Sequence, residues 1–335
     1  MNSENAWLGN KRRRQAGSRG FRSMLQTHAM KPTALRKTHR HFAARLLLLF
    51  AFAFPAFACA EDYLQSFPLK HSSRYFDFRF RRNPERIAAI ARFADAFVGI
   101  VDRDFFSAKF DYPIRVLVLE DRDTFHIFLR QQFHIPDPPN FGIYLGEFKL
   151  FATFEDSGVG TFAHEILHPL VERNLGDRPV WAIEGIPGFF EKFYGYWQGG
   201  DLIVTWGFHN PWRLQALGPD IARLDLKAIL ANPQPQTRYN QSDLRMVSMF
   251  LWEQGRFKRF LRLIEQREKN GYLTYFEAAM EQPIERILPL WERYLADAAA
   301  RAPELLRLPM STILDDELSY RAFAQANGLK LPATQ

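Results

Sequence analysis

The sequence predicts an α+β fold, with a small mixed sheet early in the chain, a buried central helix and a mostly helical second half. Three observations predict it. Residues 114–119 (Ile-Arg-Val-Leu-Val-Leu) and 148–154 have strand character: Phe148, Leu150, Ala152 and Phe154 alternate with Lys149, Phe151 and Thr153 at period two. Phe162, Ala163, Ile166, Leu167, Leu170 and Val171 make 161–171 apolar nearly all round a helical wheel, the mark of a buried helix. Beyond Glu191, apolar residues return mainly at helical spacing.

The first sixty residues read as a targeting segment. Lys11-Arg-Arg-Arg14 and scattered basic residues precede an apolar run of about 13 residues, 46–58, shorter than the roughly 20 that a spanning helix needs. Ala58-Cys-Ala60 then supplies small residues for a cut before Glu61. A start at Met30 would give this leader ordinary proportions. The expected location is therefore outside the cytoplasm, the periplasm of a bacterial envelope, with no membrane span left after cleavage. Cys59 is the only cysteine. Cleavage after Ala60 leaves none and excludes an intrachain disulfide; cleavage before Cys59 would make it a lipid anchor, although Ala56-Phe-Ala58 lacks the leucine expected three residues before such a cysteine.

Charge supports that division. Of 44 Lys+Arg and 37 Asp+Glu, eleven basic residues but only Glu4 among the acids lie in 1–60. The high isoelectric point thus belongs to the leader, and the remainder is slightly acidic. Nothing in it suggests nucleic-acid binding.

In chain order, 61–155 reads as an N-terminal α/β part. After an irregular Phe-rich start, Asn83-Pro84 has the form of an N-cap with proline at the first helical position. Ile87, Ile90, Ala91, Ala94, Phe97, Val98 and Val101 then mark one face of a long helix. The strand 114–119 is followed by a short helix over 121–129 and a loop over 136–140. A hairpin is expected around Gly146, with 148–154 as its second strand. Residues 156–300 would hold the central helix and the helical remainder: a short strand at 201–206, a loop-rich stretch over 207–241, then helices over 243–254, 256–266, 274–282 and 283–300. The 301–335 tail carries no clear pattern.

The central helix carries the chemistry. His164-Glu165-x-x-His168 places two imidazoles four residues apart, about 6 Å along the axis at 1.5 Å per residue. Both can bond one Zn²⁺ at roughly 2.0–2.1 Å. Glu165 sits one position round, beside the metal, where it can take a proton from a zinc-activated water. His and Glu on a helix are often only solvated or structural, but this trio is flanked by apolar residues, and buried polar groups need partners. A catalytic zinc takes a third protein ligand. Glu172 lies about 12 Å along the axis from His164 and cannot converge with both histidines. The long metzincin form would need Gly and His where Val171 and Asn174 stand. Glu184, sixteen residues after His168 and beyond a turn over 174–179, is the remaining candidate, on a helix that returns beside the first.

Taken together, His164-Glu165-x-x-His168, Pro179-x-Trp181-x-x-Glu184-Gly185 and the following Phe189-Phe190-Glu191 resemble the peptidase MA-like gluzincins, bacterial zinc metallopeptidases. The resemblance runs from about residue 84 to 296 and is weak outside the two motifs. It implies a zincin-like fold, zinc held by His164, His168 and Glu184, Glu165 as general base, and a peptide or protein substrate. It also implies that the strand before the zinc helix, 148–154, rims the cleft and could pair with an extended peptide; an ordinary sheet strand is the alternative. Two positions depart from the family: Pro187 replaces a common alanine, and Gly188 stands where thermolysin-like enzymes carry an acid four after the third ligand. Glu191 is the substitute candidate to hold the first histidine.

His209 and Tyr239, in the loop-rich stretch, are candidate hydrogen-bond donors to the oxyanion of a tetrahedral intermediate. His71, His126 and His134 have no partner spacing and read as structural. The expected function is a zinc metallopeptidase of the cell envelope. The alternatives are a non-catalytic envelope protein that keeps such a fold for binding or assembly, and a zinc hydrolase of a non-peptide bond. Intact Glu165 disfavours the first, because a structural zinc needs no base.

Overall fold

A computed structural model describes residues 63–107, 113–175, 180–217, 221, 223–231, 241–266 and 272–329. The leader, Cys59, Tyr239 and most of the 174–179 turn lie outside the described residues.

A five-stranded mixed sheet organises the first half. Its strands are β1 (Leu69–Ser72), β2 (Phe76–Phe80), β3 (Ile114–Leu119), β4 (Gly142–Leu145) and β5 (Leu150–Phe154), in spatial order β1-β2-β3-β5-β4. β2, β3 and β5 run parallel, while β1 and β4 are antiparallel strands at the two edges. Both faces are covered, and the pleat sorts the side chains. Val116, Val118 and Phe151 join the larger core on one face; Leu117, Leu119, Leu150, Ala152 and Phe154 join a smaller core on the other. The period-two reading of 148–154 is therefore right about alternation, although the strand itself begins at Leu150, after a 3-10 turn over Gly146–Phe148 and a left-handed Lys149.

One expectation is corrected here. β5 is interior, bonded to β3 and β4, and so cannot receive a peptide strand. The free edge is β4, the first strand of the expected hairpin. Sequence periodicity marks a strand's faces but not its neighbours, so the two arms of a hairpin cannot be ranked as edge and interior from it.

The long helix α1 (Pro84–Asp104) buries Ile87, Ala91, Ala94, Phe97, Val98 and Val101 against the larger core. Asn83 stands at its N-terminus but does not cap it: with φ 56° it is left-handed, and its Nδ2 donates instead to Glu155 Oε2 at 2.6 Å. Arg82 donates to the other oxygen of Glu155, and Arg86 reaches the Glu155 carbonyl and Asp156. These three residues tie the start of α1 to the loop that leads into the central helix. Helix α2 (Arg122–Gln132), capped by the Asp121 side chain on the Thr124 amide, covers the opposite face of the sheet with Phe125, Phe128 and Leu129.

The central helix α3 (Val159–Leu175) packs beside β4 and against α4 (Val180–Phe190). Trp181, Ala182, Ile186, Phe189 and Phe190 on α4 are wholly buried. A helix apolar on nearly every side must lie inside the molecule; α4 shares one continuous core with α3 and the later helices α5 (Pro211–Leu217), α6 (Leu226–Ala231), α7 (Gln241–Glu253) and α8 (Phe257–Glu265), and packs directly on α3, α7 and α8. Two short helices thus occupy described parts of the stretch read as loop. Helices α9 (Tyr272–Met280) and α10 (Ile284–Ala300) complete the helical part, near their expected bounds. Among the described residues no helix is long and apolar enough to cross a membrane.

Of a second sheet only one strand was expected, that over 201–206, which is present as Asp201–Thr205. β6 (Tyr194–Gln198) lies between β7 (Asp201–Thr205) and β8 (Thr312–Leu314), and α11 (Glu317–Ala326) covers it through Tyr320 and Ala324. The patternless tail thus returns to the segment that follows α4. Lys192 donates to the Pro309 carbonyl, and the Ser311 hydroxyl donates to the Glu191 carbonyl at 2.8 Å.

Candidate metal centre

His164 and His168 project from one face of α3, ring centroids 5.0 Å apart. Glu184 comes to them from the first turns of α4. His164 Nε2 lies 3.4 Å from Glu184 Oε2, and ligand atoms of His164, His168 and Glu184 all fall within 4.8 Å of one another. Among the described residues no other group of three such side chains converges in this way. A tetrahedron with bonds of about 2.1 Å has edges of about 3.4 Å, the His164–Glu184 spacing. The donor set, two imidazoles and a carboxylate in a mostly buried position, could hold a metal ion.

Local sequence explains the approach of the two helices. A Cβ added at Gly185 would stand 2.6 Å from the Leu244 carbonyl oxygen. Only glycine lets α4 lie this close to α7, which explains glycine directly after Glu184. Trp181, one turn before Glu184, packs on Phe260, its ring edge-on to Tyr272 at 5.1 Å. Pro169 and Pro187 lack the amide hydrogens that would bond the carbonyls of Glu165 and Ile183, so each helix is loosened by one bond beside the site.

Glu165 is buried between α3 and the edge strand. The Tyr144 backbone amide of β4 donates to its carboxylate. Gly142 permits this contact: a Cβ there would meet Glu165 Cγ at 3.1 Å, Phe151 at 3.0 Å and Thr161 at 3.2 Å. Tyr144 also stacks its ring on His168, interplanar angle 9°, and donates its hydroxyl to Glu172 Oε2 at 3.1 Å. Glu172 is thus bonded to the strand and stands outside the ligand group.

The electrostatics separate the carboxylates. Burial pushes Glu165 up to about 7, helped by Glu184 and Glu191 and opposed by His164 and the Tyr144 amide. Glu184 is lowered to about 2: burial raises it, but the His164 hydrogen bond and the nearby charges of His168, His164 and Arg213 prevail. Burial alone would lower His164, yet its hydrogen bond to Glu184 and the surrounding carboxylates raise it.

Glu191 takes the place that Gly188 leaves empty. Its Oε2 faces His164 Nδ1 at 3.7 Å, and that nitrogen is buried with no hydrogen-bond partner. Seven residues after Glu184, two turns on, Glu191 comes back to the same side. An acid at 188 itself would meet Arg245, which is buried over Gly188 and donates from Nε to the Gly188 carbonyl at 2.6 Å.

Two cavities flank the group and share His164, Glu165, Gly142 and Gln241 in their walls. The first, about 480 Å³, is lined by Tyr144, His168, Glu172 and Glu184. The second, about 260 Å³, is lined by Glu191, Arg213 and the half-exposed rings of Phe141 and Trp212. A third cavity of about 370 Å³, between Phe93, Phe154 and Trp197, holds none of the candidate ligands.

His209 is not brought to the candidate centre. It lines neither flanking cavity; its Nε2 faces Glu253 Oε1 at 3.5 Å and its ring stacks on Tyr294. The next residues, not His209, turn toward the site: Asn210 Nδ2 donates to Glu191 Oε1 at 2.9 Å, and Arg213 binds Glu191 Oε2 through Nε and Nη2 at 3.1 and 3.0 Å. Sequence reasoning missed Asn210, Arg213 and Gln241, and no motif signal marks them.

No family model matches the chain, and no curated protein matches it.

Proposed function

We propose that the protein is a zinc-dependent hydrolase of peptide bonds, a gluzincin with a zincin-like fold. The convergence of His164, His168 and Glu184, from two helices and sixteen residues of separation, carries this reading. Zinc held there would supply Lewis acidity and a water made acidic enough to ionise near neutral pH. The chain's own residues supply the rest. Glu165 lies beside the ligand group, accepts the proton of the attacking water and returns it to the leaving amine. β4 offers the free strand edge on the cleft side, so an extended peptide would pair with it there.

The cavities on both sides of Glu165 suit a chain that runs through the site and support cleavage within a peptide. Export to the envelope, read from residues 46–60, belongs to the same proposal. Two measurements test the central reading together: the metal content of the purified protein, and hydrolysis of casein and a peptide library with and without a chelator. One zinc per chain and chelator-sensitive cleavage are expected. Zinc without cleavage would favour a binding role or a non-peptide substrate; absence of zinc, with no rebinding on titration, would remove the proposal.

A further inference from the structure

The polar groups around the candidate centre close into a ring. His164 Nε2 faces Glu184 Oε2 at 3.4 Å. Gln241 Nε2 donates to that same Glu184 oxygen at 2.8 Å. Gln241 Oε1 accepts from Arg213 Nη1 at 2.6 Å. Arg213 grips Glu191 with Nε and Nη2, and Glu191 Oε2 returns to within 3.7 Å of His164 Nδ1. Asn210 occupies the other oxygen of Glu191.

The chemistry of the groups sets the direction of each contact. A guanidinium only donates and an ionised carboxylate only accepts. The Gln241 amide must therefore turn its oxygen to Arg213 and its nitrogen to Glu184, and cannot flip without losing both bonds. The ring thus fixes the rotation of the Glu184 carboxylate and presents the Glu191 carboxylate to the first histidine. Its placement follows from packing. Gln241 is the first residue of α7, and α7 is held against α4 at the Gly185–Leu244 contact. Arg213 and Asn210 come from α5 and the residue before it, so the strap arises in the stretch between the ligand helix and α7.

We infer that Gln241, backed by Arg213, is a positioning residue that holds Glu184 and Glu191 in the geometry needed for metal binding. The inference rests on the metal-centre reading above. Gln241 is exposed as a whole residue and anchors no core, which separates this role from a structural one.

The test uses Gln241→Met, nearly isosteric but unable to make either bond, in the full chain. Zinc affinity is measured by competition with a chromophoric chelator, the Co²⁺-substituted protein by its visible spectrum, and the metal-free protein by its melting temperature. The expected result is zinc binding weakened by about tenfold or more, a changed Co²⁺ spectrum, and an unchanged melting temperature without metal. Arg213→Lys, which keeps the charge but not the fork, should weaken binding in the same direction. A parent that binds zinc while Gln241→Met binds it equally well, with the same Co²⁺ spectrum, overturns the positioning role alone. A loss of affinity that comes with melting of the metal-free variant also overturns it, in favour of a structural role. A parent that binds no zinc overturns the metal-centre reading itself and this inference with it.

Discussion

The α-carbon of Gly185 faces the carbonyl oxygen of Leu244 so closely that a Cβ would come within 2.6 Å of it. The obstacle is backbone, which cannot rotate aside as a side chain can. This contact holds the helix of Glu184 against the helix of Gln241, so it positions the third candidate ligand.

Gly185→Ala should therefore force α4 and α7 apart. Overpacking of this kind costs about 1–3 kcal/mol, and zinc affinity should fall as well because Glu184 moves with its helix. Thermal melting with and without zinc checks this. Gly188→Ala is the control. Its nearest neighbour would be the Arg245 side chain at 3.4 Å, an ordinary contact, so its effect should be smaller.

Glu165→Gln should retain zinc and lose hydrolysis. Gln is close in shape and keeps hydrogen bonds, but it cannot accept the water's proton. Positioned proton transfer contributes roughly 10²–10⁴ in rate, so the drop should be of that order. Glu184→Gln should weaken metal binding and rate together, because a neutral amide is a poor zinc ligand. Metal titration beside the peptidase assay separates the two roles; full activity in Glu165→Gln would end the assignment of the base.

The metal-free protein should show an unusual dependence on pH. Glu165 is raised from its ordinary value near 4.5 to about 7, so the folded state binds more protons than the unfolded state between those values. Its contribution is neutral below about pH 4.5, grows unfavourable as pH rises, and is fully unfavourable above 7. At about 1.4 kcal/mol per unit, the penalty is on the order of 3 kcal/mol. Glu165→Gln should therefore raise the melting temperature of the metal-free protein at pH 8 and leave it nearly unchanged at pH 4. Glu184 has the opposite sign. Lowered to about 2, it stabilises the fold above its ordinary value, and that stability is lost as pH falls toward 2. Glu184→Gln should thus lower the melting temperature at pH 7 but not near pH 2.

N-terminal sequencing of the protein from an envelope fraction should begin at Glu61. The basis is the apolar run over 46–58 with Ala58-Cys-Ala60 behind it. A lipid-modified Cys59 at the N-terminus would replace this with an anchored form, and an intact Met1 or Met30 would exclude processing.

Much of the candidate site was legible in the residues alone because its signals are local. His164 and His168 meet because they are four apart on one helix, and helical spacing is written in the sequence. The apolar surroundings of that helix and the alternation in Leu150–Phe154 are likewise properties of short windows, and the structure places both as the patterns indicate. Glu184 needed one further step, a turn and a returning helix.

The rest depended on contacts between distant segments, which carry no periodic signature. Whether β4 or β5 is the free edge is decided by which strand bonds to β3. Tyr144 reaches Glu165 only because Gly142 lets the edge strand lie on the helix. Gln241, Arg213 and Asn210 stand in a stretch whose prolines and glycines read as loop, and His209 beside them looked the better candidate by residue type alone. A side chain's direction there is set by the packing of α5 and α7 on α4, not by its neighbours in sequence. Local pattern was enough to name the candidate ligands and the candidate base; the groups packed around them were selected by tertiary packing, since they come together across dozens of residues that no window of the sequence relates.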